Sequence, residues 1–384
     1  MKREGNLKNR VLELIKNRKY ISRNEIAKEF GVTSAGVGKV VKELLNEKLI
    51  VESKEGESTG GRKPVLLEIN DKNIGKVLGV YFAPKFFQIT IGNINGEMFE
   101  SKRYDFIEEK NYFKQGEEVI KKFLNIYKDI SIISIVTNGL VDSEKGKVIF
   151  SPHYNIKNYP LKDEIEKKFN IKTVVENDVR AMALTEKIFG VCRDNHNFVV
   201  LNIEDGVGGS IYLNDMLYHG YGSMSGELGH MVVKRGSLEK CSCGKRGCLE
   251  TEVSNRAIIK KIFTQIRNNN RFTLLRKVLD KNKNIDINDI LSAYEEKDML
   301  TLEIVGEAIS YIAYAMDMII SVINPEKIIL YGDIFKSRYI LDALLNEIGK
   351  ITLDEQNYEV VVSNFLTSIY KKSPFAVANY FAFK

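Results

Sequence analysis

The sequence predicts an α/β protein, with a small winged helix-turn-helix at its start and a larger α/β domain behind it. Three observations carry that expectation. Two short amphipathic segments flank a Gly31-Val32 turn and lead into a strand–loop–strand pattern. From Gly75 onward, strand-like runs alternate with helical ones, as α/β layering requires. Midway, one histidine and three cysteines gather in residues 230–248, a spacing that suits a metal.

Leu7, Val11, Leu12, Leu14 and Ile15 form one face of a first helix. Ser22 caps a second helix, and Glu25 three residues on completes a capping box. That helix runs to about Phe30. After the Gly31-Val32 turn, Thr33 or Ser34 caps a third, whose apolar stripe is Val37, Val40, Val41, Leu44 and Leu45. Two helices joined by a short Gly-containing turn make a helix-turn-helix, and the second of them enters a major groove N-terminus first. Thr33, Ser34, Ala35, Gly36, Gly38, Lys39 and Lys42 are placed to meet DNA. Gly36 and Gly38 each cost about 1 kcal/mol relative to Ala in a helix. Close approach to phosphates is one account of them and neutral drift the other. Leu49–Glu52, a polar loop and Pro64–Ile69 then read as a wing. Its tip, Thr59-Gly60-Gly61-Arg62-Lys63-Pro64, could place Arg62 in a minor groove beside Lys63; a solvated hairpin tip is the plainer reading.

Charge supports a polyanion partner for this module. Residues 1–72 hold 16 Lys+Arg against 11 Asp+Glu, whereas the other 312 hold 41 against 40. The domains are expected at 1–72 and 73–384. The polar stretch Met1–Arg10 does not read as a signal peptide, and no run of about 18 apolar residues suggests a membrane span. A cytoplasmic protein without membrane contact is the expectation.

In the larger domain, Val77–Tyr81, Phe87–Gly92, Ile130–Thr137, Thr173–Glu176, Phe198–Ile203 and Lys327–Tyr331 read as strands. Leu161–Phe169, Val179–Phe189, Arg256–Asn268 and Leu300–Ile323 read as helices, the last apolar on more than one side as a core helix is. Asn95-Gly96 marks a hairpin. His230, Cys241, Cys243 and Cys248 supply one imidazole and three thiols, a closed tetrahedral set for a structural Zn²⁺, one per chain. Gly244 and Gly247 permit the sharp bends of that loop. Reduced structural cysteines beside an unrelated histidine are the alternative.

At these residues the chain resembles the ROK family (repressors, open reading frames and kinases), in its xylose-repressor-like branch. The family's Gly-Glu-x-Gly-His is Gly226–His230, and its Cys-x-Cys-Gly-x-x-Gly-Cys-x-Glu is Cys241–Glu250, giving a zinc loop of about 226–250. Its Glu-Asn-Asp is Glu176-Asn177-Asp178, its Gly-Gly-Arg-x-Pro is Gly60–Pro64, and Ile323-Asn324-Pro325-Glu326 also fits. The spacing from His230 to Cys241 is one residue longer than usual, a length for a loop to absorb. The resemblance implies two α/β lobes of actin-like, sugar-kinase-like type with a cleft between them, and at least a dimer. It carries sugar binding to Asn177, Asp178, Glu227, His230 and Glu250. Asp178 alone also reads as the N-cap of the helix at 179.

The same resemblance raises a choice between sensor and kinase. The kinases' Asp-x-Gly-Gly-Thr phosphate turn falls on Tyr81-Phe82-Ala83-Pro84-Lys85, where the Asp and both glycines are gone and Pro84 lacks an N–H. A phosphate cradle needs close backbone approach and free amides. The second loop falls on Glu204–Ser210, which brings two carboxylates and reads better as a hairpin turn; the family's Gly-Gly pair is reduced to Tyr331-Gly332. A sugar-responsive regulator of operator DNA, with no catalytic residue, is therefore expected. A sugar kinase with an appended DNA module, using Asp178 as base, is the alternative.

Overall fold

The computed structural model describes residues 7–8, 10–12, 14–15, 18, 20–55, 63–70, 75–107, 111–268, 271–280, 284–353 and 357–383, without the side chains of 54 and 55. Contacts divide the chain into two compact units, Met1–Phe189 with Ser368–Lys384, and Gly190–Thr367.

The first unit begins with the helix-turn-helix. The described residues between 7 and 18 are helical, and Val11, Leu12 and Ile15 are buried. Helix Arg23–Phe30 starts at Ser22, whose hydroxyl accepts from the Glu25 N–H while Glu25 accepts from the Ser22 N–H at 2.8 Å, the expected capping box. Gly31, at φ +60°, ends it in the left-handed region. Thr33 caps helix Ser34–Asn46 through the Gly36 N–H, and Val37, Val40, Val41 and Leu44 are its buried stripe. Leu45 is only half-buried. Strands Ile50–Glu55 and Val65–Ile69 pair antiparallel, and Ile21–Ser22 adds a third strand against Val65–Ile69. The wing expectation holds for those strands; Gly60, Gly61 and Arg62 lie outside the described residues.

Beyond it stands a five-stranded sheet in the order Lys172–Asn177, Ile130–Thr137, Lys76–Phe82, Phe86–Gly92, Met98–Asp105. The first three strands are parallel and the last two antiparallel. Gly96, at φ +81°, closes the hairpin that Asn95-Gly96 predicts. Phe82, Ile89 and Ile135 join Phe113, Ile120 and Phe123 of helix Tyr112–Ile126 in one core. Helix Ile369–Ala382, from the far end of the chain, packs on the sheet at Gly79. A Cβ there would fall 2.6 Å from Pro374, so glycine is what admits the helix. A small three-stranded sheet of Leu140–Asp142, Lys147–Ser151 and Ile156–Tyr159 completes the unit.

The second unit repeats the topology. Its order is Met216–Leu217, Val207–Leu213, Phe198–Ile203, Lys327–Tyr331, Glu359–Val362. In both sheets the first strand in sequence is central, flanked on one side by its hairpin partner and on the other by a parallel crossover strand. Val199, Leu201 and Ile203 pack with Ile258 and Ile262 of helix Asn255–Asn268 and with helix Met299–Ile323. Among the described residues this last helix alone is long and apolar enough to cross a membrane. Leu300, Ile304, Ile312 and Met316 are nonetheless buried, as a core helix requires.

Candidate metal centre and ligand-binding residues

In the helix-turn-helix, Thr33, Ser34, Ala35, Lys39 and Lys42 are exposed, and Gly36 and Gly38 are half-buried. A Cβ built on Gly38 meets nothing within 4 Å, and one on Gly36 makes only an ordinary 3.4 Å contact with Thr33. The protein's own packing does not demand either glycine. Lys63 is exposed at the base of the wing.

The metal candidates converge. The ligand atoms of His230, Cys241, Cys243 and Cys248 all lie within 4.8 Å of one another. His230 Nδ1 is 3.4 Å from Cys241 Sγ, and the sulfurs of Cys243 and Cys248 are 3.7 Å apart. A tetrahedral zinc with bonds of about 2.3 Å to sulfur and about 2.05 Å to nitrogen sets these edges near 3.5 and 3.8 Å. A disulfide needs about 2.05 Å, and all three thiols are free. Burial, then the neighbouring thiols of Cys243 and Cys241, pushes the Cys248 thiol up to about 12. A bound dication reverses that balance by favouring thiolates.

The loop is shaped by its backbone. The N–H groups of Val233 and Lys234 donate to the Gly247 carbonyl, and that of Leu249 to Met231. Gly247 sits at φ +71°, where a Cβ would be 2.0 Å from the Lys234 carbonyl. Lys245 Nζ ties the loop tip to the His230 carbonyl at 2.7 Å. Gly229 and Gly226 let the turn before His230 press on the hairpin strand Val207–Leu213, and Gly209 makes room for Leu228. The glycines of 204–210 thus serve a hairpin turn and its packing.

With Nδ1 turned to the thiols, His230 presents Nε2 on its other edge, 3.8 Å from Glu227. Glu227 is exposed. Glu250 has one committed oxygen: Oε2 accepts the Val207 N–H at 3.1 Å, while Oε1 lies 4.0 Å from Cys241 Sγ. It couples the metal loop to the hairpin. These three residues belong to the second unit.

Asn177 and Asp178 belong to the first. Here the cap expectation is corrected. Helix Asp178–Ile188 is capped by Asn177, whose Oδ1 accepts from the N–H groups of Val179 and Arg180. Asp178 is the first helical residue instead, because the last strand residue, Asn177, turns its own side chain to the Val179 and Arg180 N–H groups. Asn177 Nδ2 spends both protons, on Gly139 O at 2.9 Å and Asp178 Oδ1 at 2.8 Å. Asp178 Oδ2 has no side-chain partner among the described residues. Withdrawal from bulk water pushes the Asp178 carboxyl up to about 6, against the opposing hydrogen bonds of Val179 and Asn177. Beneath them, Glu176 and Arg180 form a buried pair at 2.7 Å, and Ser143 donates to Glu176 at 2.6 Å.

The Tyr81–Lys85 segment is a hairpin corner. Tyr81, Phe82 and Ala83 are buried, and only Pro84 and Lys85 are exposed. The Ala83 N–H is spent on Phe86 O, and Ala83 O accepts from Tyr154. The Tyr81 ring packs edge-on against Tyr370 at 4.9 Å.

Glu252, Lys234 and Glu307 tie the loop of the metal candidates to helix Met299–Ile323. No local spacing marks them, since the three are far apart in the chain. The Glu176–Arg180 pair did carry a signal, its i,i+4 spacing.

The ROK family model matches residues 78–373. The chain is similar to the xylose repressor of Bacillus subtilis (strain 168), 27% identical over 369 residues, covering 92% of this chain and 89% of that one. It is similar to the N-acetylglucosamine repressor of Escherichia coli O157:H7, 27% identical over 337 residues, covering 86% and 81%. Among solved structures, a ROK family transcriptional regulator, a homolog of the E. coli MLC protein, aligns at TM-score 0.83 and 29% identity, covering 98% and 96%. A ROK family glucokinase from Streptomyces griseus, in complex with glucose and AMPPNP, aligns at TM-score 0.66 and 21% identity, covering 79% and 98%; it shares the fold.

Proposed function

The chain belongs to the ROK family, and from that premise we propose that it is a sugar-responsive, DNA-binding transcriptional regulator whose kinase-like domain senses and does not phosphorylate. The observation that carries the proposal is the Tyr81–Lys85 corner. Where a phosphoryl donor would need open glycine backbone, the chain has buried aromatic side chains, a proline and a spent amide. The regulators to which it is similar, over most of its length, support the same reading.

The division of labour follows. Residues 1–72 bind operator DNA through Thr33, Ser34, Ala35, Gly36, Gly38, Lys39, Lys42, Arg62 and Lys63. Residues 73–384 hold a small sugar through Asn177, Asp178, Glu227, His230 and Glu250. Ionised carboxylates accept sugar hydroxyls strongly, and the uncommitted Asp178 Oδ2 and the His230 Nε2 edge are the groups with capacity to spare. The engaged amide of Asn177 suits orienting Asp178. One structural Zn²⁺ per chain, on His230, Cys241, Cys243 and Cys248, keeps the Glu227–His230 turn in shape. The ligand spacings support that assignment. A dimer or higher oligomer reads a palindromic or near-palindromic site. The sugar alters DNA affinity only by its differential affinity for two states of the protein.

The test is an operator gel shift titrated with the best-binding sugar from a thermal-shift screen, run without ATP. DNA affinity is expected to change with sugar, and coupled ATP consumption to stay at background. One observation favours the kinase alternative: an Asp178 carboxyl near 6 suits a general base. Sugar-dependent ATP turnover would restore that reading and overturn the sensor.

A further inference from the structure

We propose that Glu252 is a positioning residue for the metal loop: it fixes the span between His230 and Cys241, so that imidazole and thiols meet at metal-binding distance. The proposal rests on reading the His230–Cys248 cluster as a zinc centre. Glu252 lies four residues beyond Cys248, on helix Leu249–Val253, and is 1% exposed. A carboxylate withdrawn so far from water must be paired. Oε2 is 2.9 Å from Lys261 Nζ and 3.6 Å from Lys234 Nζ, and Oε1 accepts the Ser237 hydroxyl at 3.1 Å. Lys234 and Ser237 lie on the arm that runs from His230 to Cys241. One side chain therefore holds both the arm that leaves His230 and the helix that follows Cys248. Lys234 and Lys261 also reach Glu307 on helix Met299–Ile323, at 2.9 and 3.4 Å. The four charges balance, and the loop is anchored to the unit's long core helix.

The arm needs that tie. After Lys234 it turns at Gly236, φ +76°, and then exposes Leu238 at 87% of its surface. Such a segment has little core of its own. Its start is fixed by Val233 and Lys234 on Gly247, and its middle by Ser237 on Glu252. Glu252 acts through the loop and touches no ligand atom.

The test uses the full-length, zinc-loaded chain. Zinc release to excess 4-(2-pyridylazo)resorcinol is timed for wild type, Glu252→Gln and Ser237→Ala, and absorption spectra are taken of the Co²⁺-substituted proteins. Glu252→Gln should release zinc about tenfold faster, the low end for groups outside the ligand set, with a cobalt spectrum displaced from wild type. Ser237→Ala should move release in the same direction by less. Release at the wild-type rate in both overturns the proposal even if melting temperatures fall, because a purely structural role would change melting alone. Should Glu252→Gln fail to fold, Ser237→Ala decides, and unchanged release overturns the proposal. A wild-type protein that develops no cobalt–thiolate band overturns the zinc reading itself, before any variant is compared.

Discussion

Asp178 and Asn177 divide two tasks that one residue could not perform together. Asn177 caps the helix with its carbonyl and orients its neighbour with its amide, which leaves Asp178 Oδ2 without a side-chain partner among the described residues, while burial, against those hydrogen bonds, raises the Asp178 pKa. The raised pKa has a stability cost of known sign. The folded carboxyl titrates near 6 and the unfolded one near 3.8, so the folded state is penalised above pH 6. That penalty fades as pH falls from about 6 toward 4. Asp178→Asn should therefore melt higher than wild type at pH 7–8, by about 1–2 kcal/mol, and match it near pH 4. The full shift would give roughly 3 kcal/mol, but Asp178 keeps some contact with water. The same variant should retain operator binding and lose sugar response by roughly 1.5–3 kcal/mol, the worth of a charged hydrogen bond. Paired melts across pH and a sugar-titrated gel shift check both. Equal melting at pH 8, or an unchanged sugar midpoint, contradicts the assignment.

At the scale of elements, the third helix and the metal loop invite different substitutions. Gly38 has open space around its missing Cβ, so Gly38→Ala should raise the stability of the helix by about 1 kcal/mol. If the helix docks closely on DNA, the same methyl should weaken operator binding. Stability and affinity moving in opposite directions is the expected result, read by thermal melting and fluorescence anisotropy. Affinity that is unchanged or improved leaves neutral drift as the account of Gly38. For the metal loop, elemental analysis should find one zinc per chain. On the proposed zinc centre, Cys243→Ala should lower the melting temperature and weaken sugar binding together, because the turn that carries Glu227 and His230 would lose its metal. A metal-free protein with wild-type sugar affinity contradicts that link.

Across the whole molecule, the excess of cations is confined to the first 72 residues while the rest is nearly balanced. Binding to operator DNA should fall steeply with salt through counterion release, and each of Lys39→Ala, Lys42→Ala and Lys63→Ala should reduce the salt slope by about 1. A slope that none of the three alters would remove them from the interface. The two units share one strand order, with a central first strand, a hairpin partner on one side and a parallel crossover on the other. This repeated plan is that of the actin-like sugar kinases, and in this chain the corner between Lys76–Phe82 and Phe86–Gly92 is closed by buried side chains and a spent Ala83 amide. The ladder itself holds the start of that corner, through Tyr81 on Gln88 and Phe82 on Phe87, and only Pro84 and Lys85 are exposed.

The sequence by itself determined what depends on neighbours in the chain. The Ser22–Glu25 box, the Thr33 cap, the Gly31 turn, the strand Ile130–Thr137 and the helix Leu161–Phe169 follow from local spacing and backbone preference, and the structure has them where they are expected. The four candidate metal ligands were legible for a related reason, since chemistry that needs three thiols within eight residues leaves its mark on the chain. The residues that cap and brace those sites were decided only by the tertiary structure. Asn177, the last residue paired with Ile130–Thr137, and not Asp178, became the cap, its Oδ1 accepting from the Val179 and Arg180 N–H groups. Gly79 became the seat of a helix almost 300 residues away. Glu252 found Lys234, Lys261 and Ser237 across three separate segments. Contacts of that kind are set by burial and by charge compensation in space, and no periodicity along the chain records them.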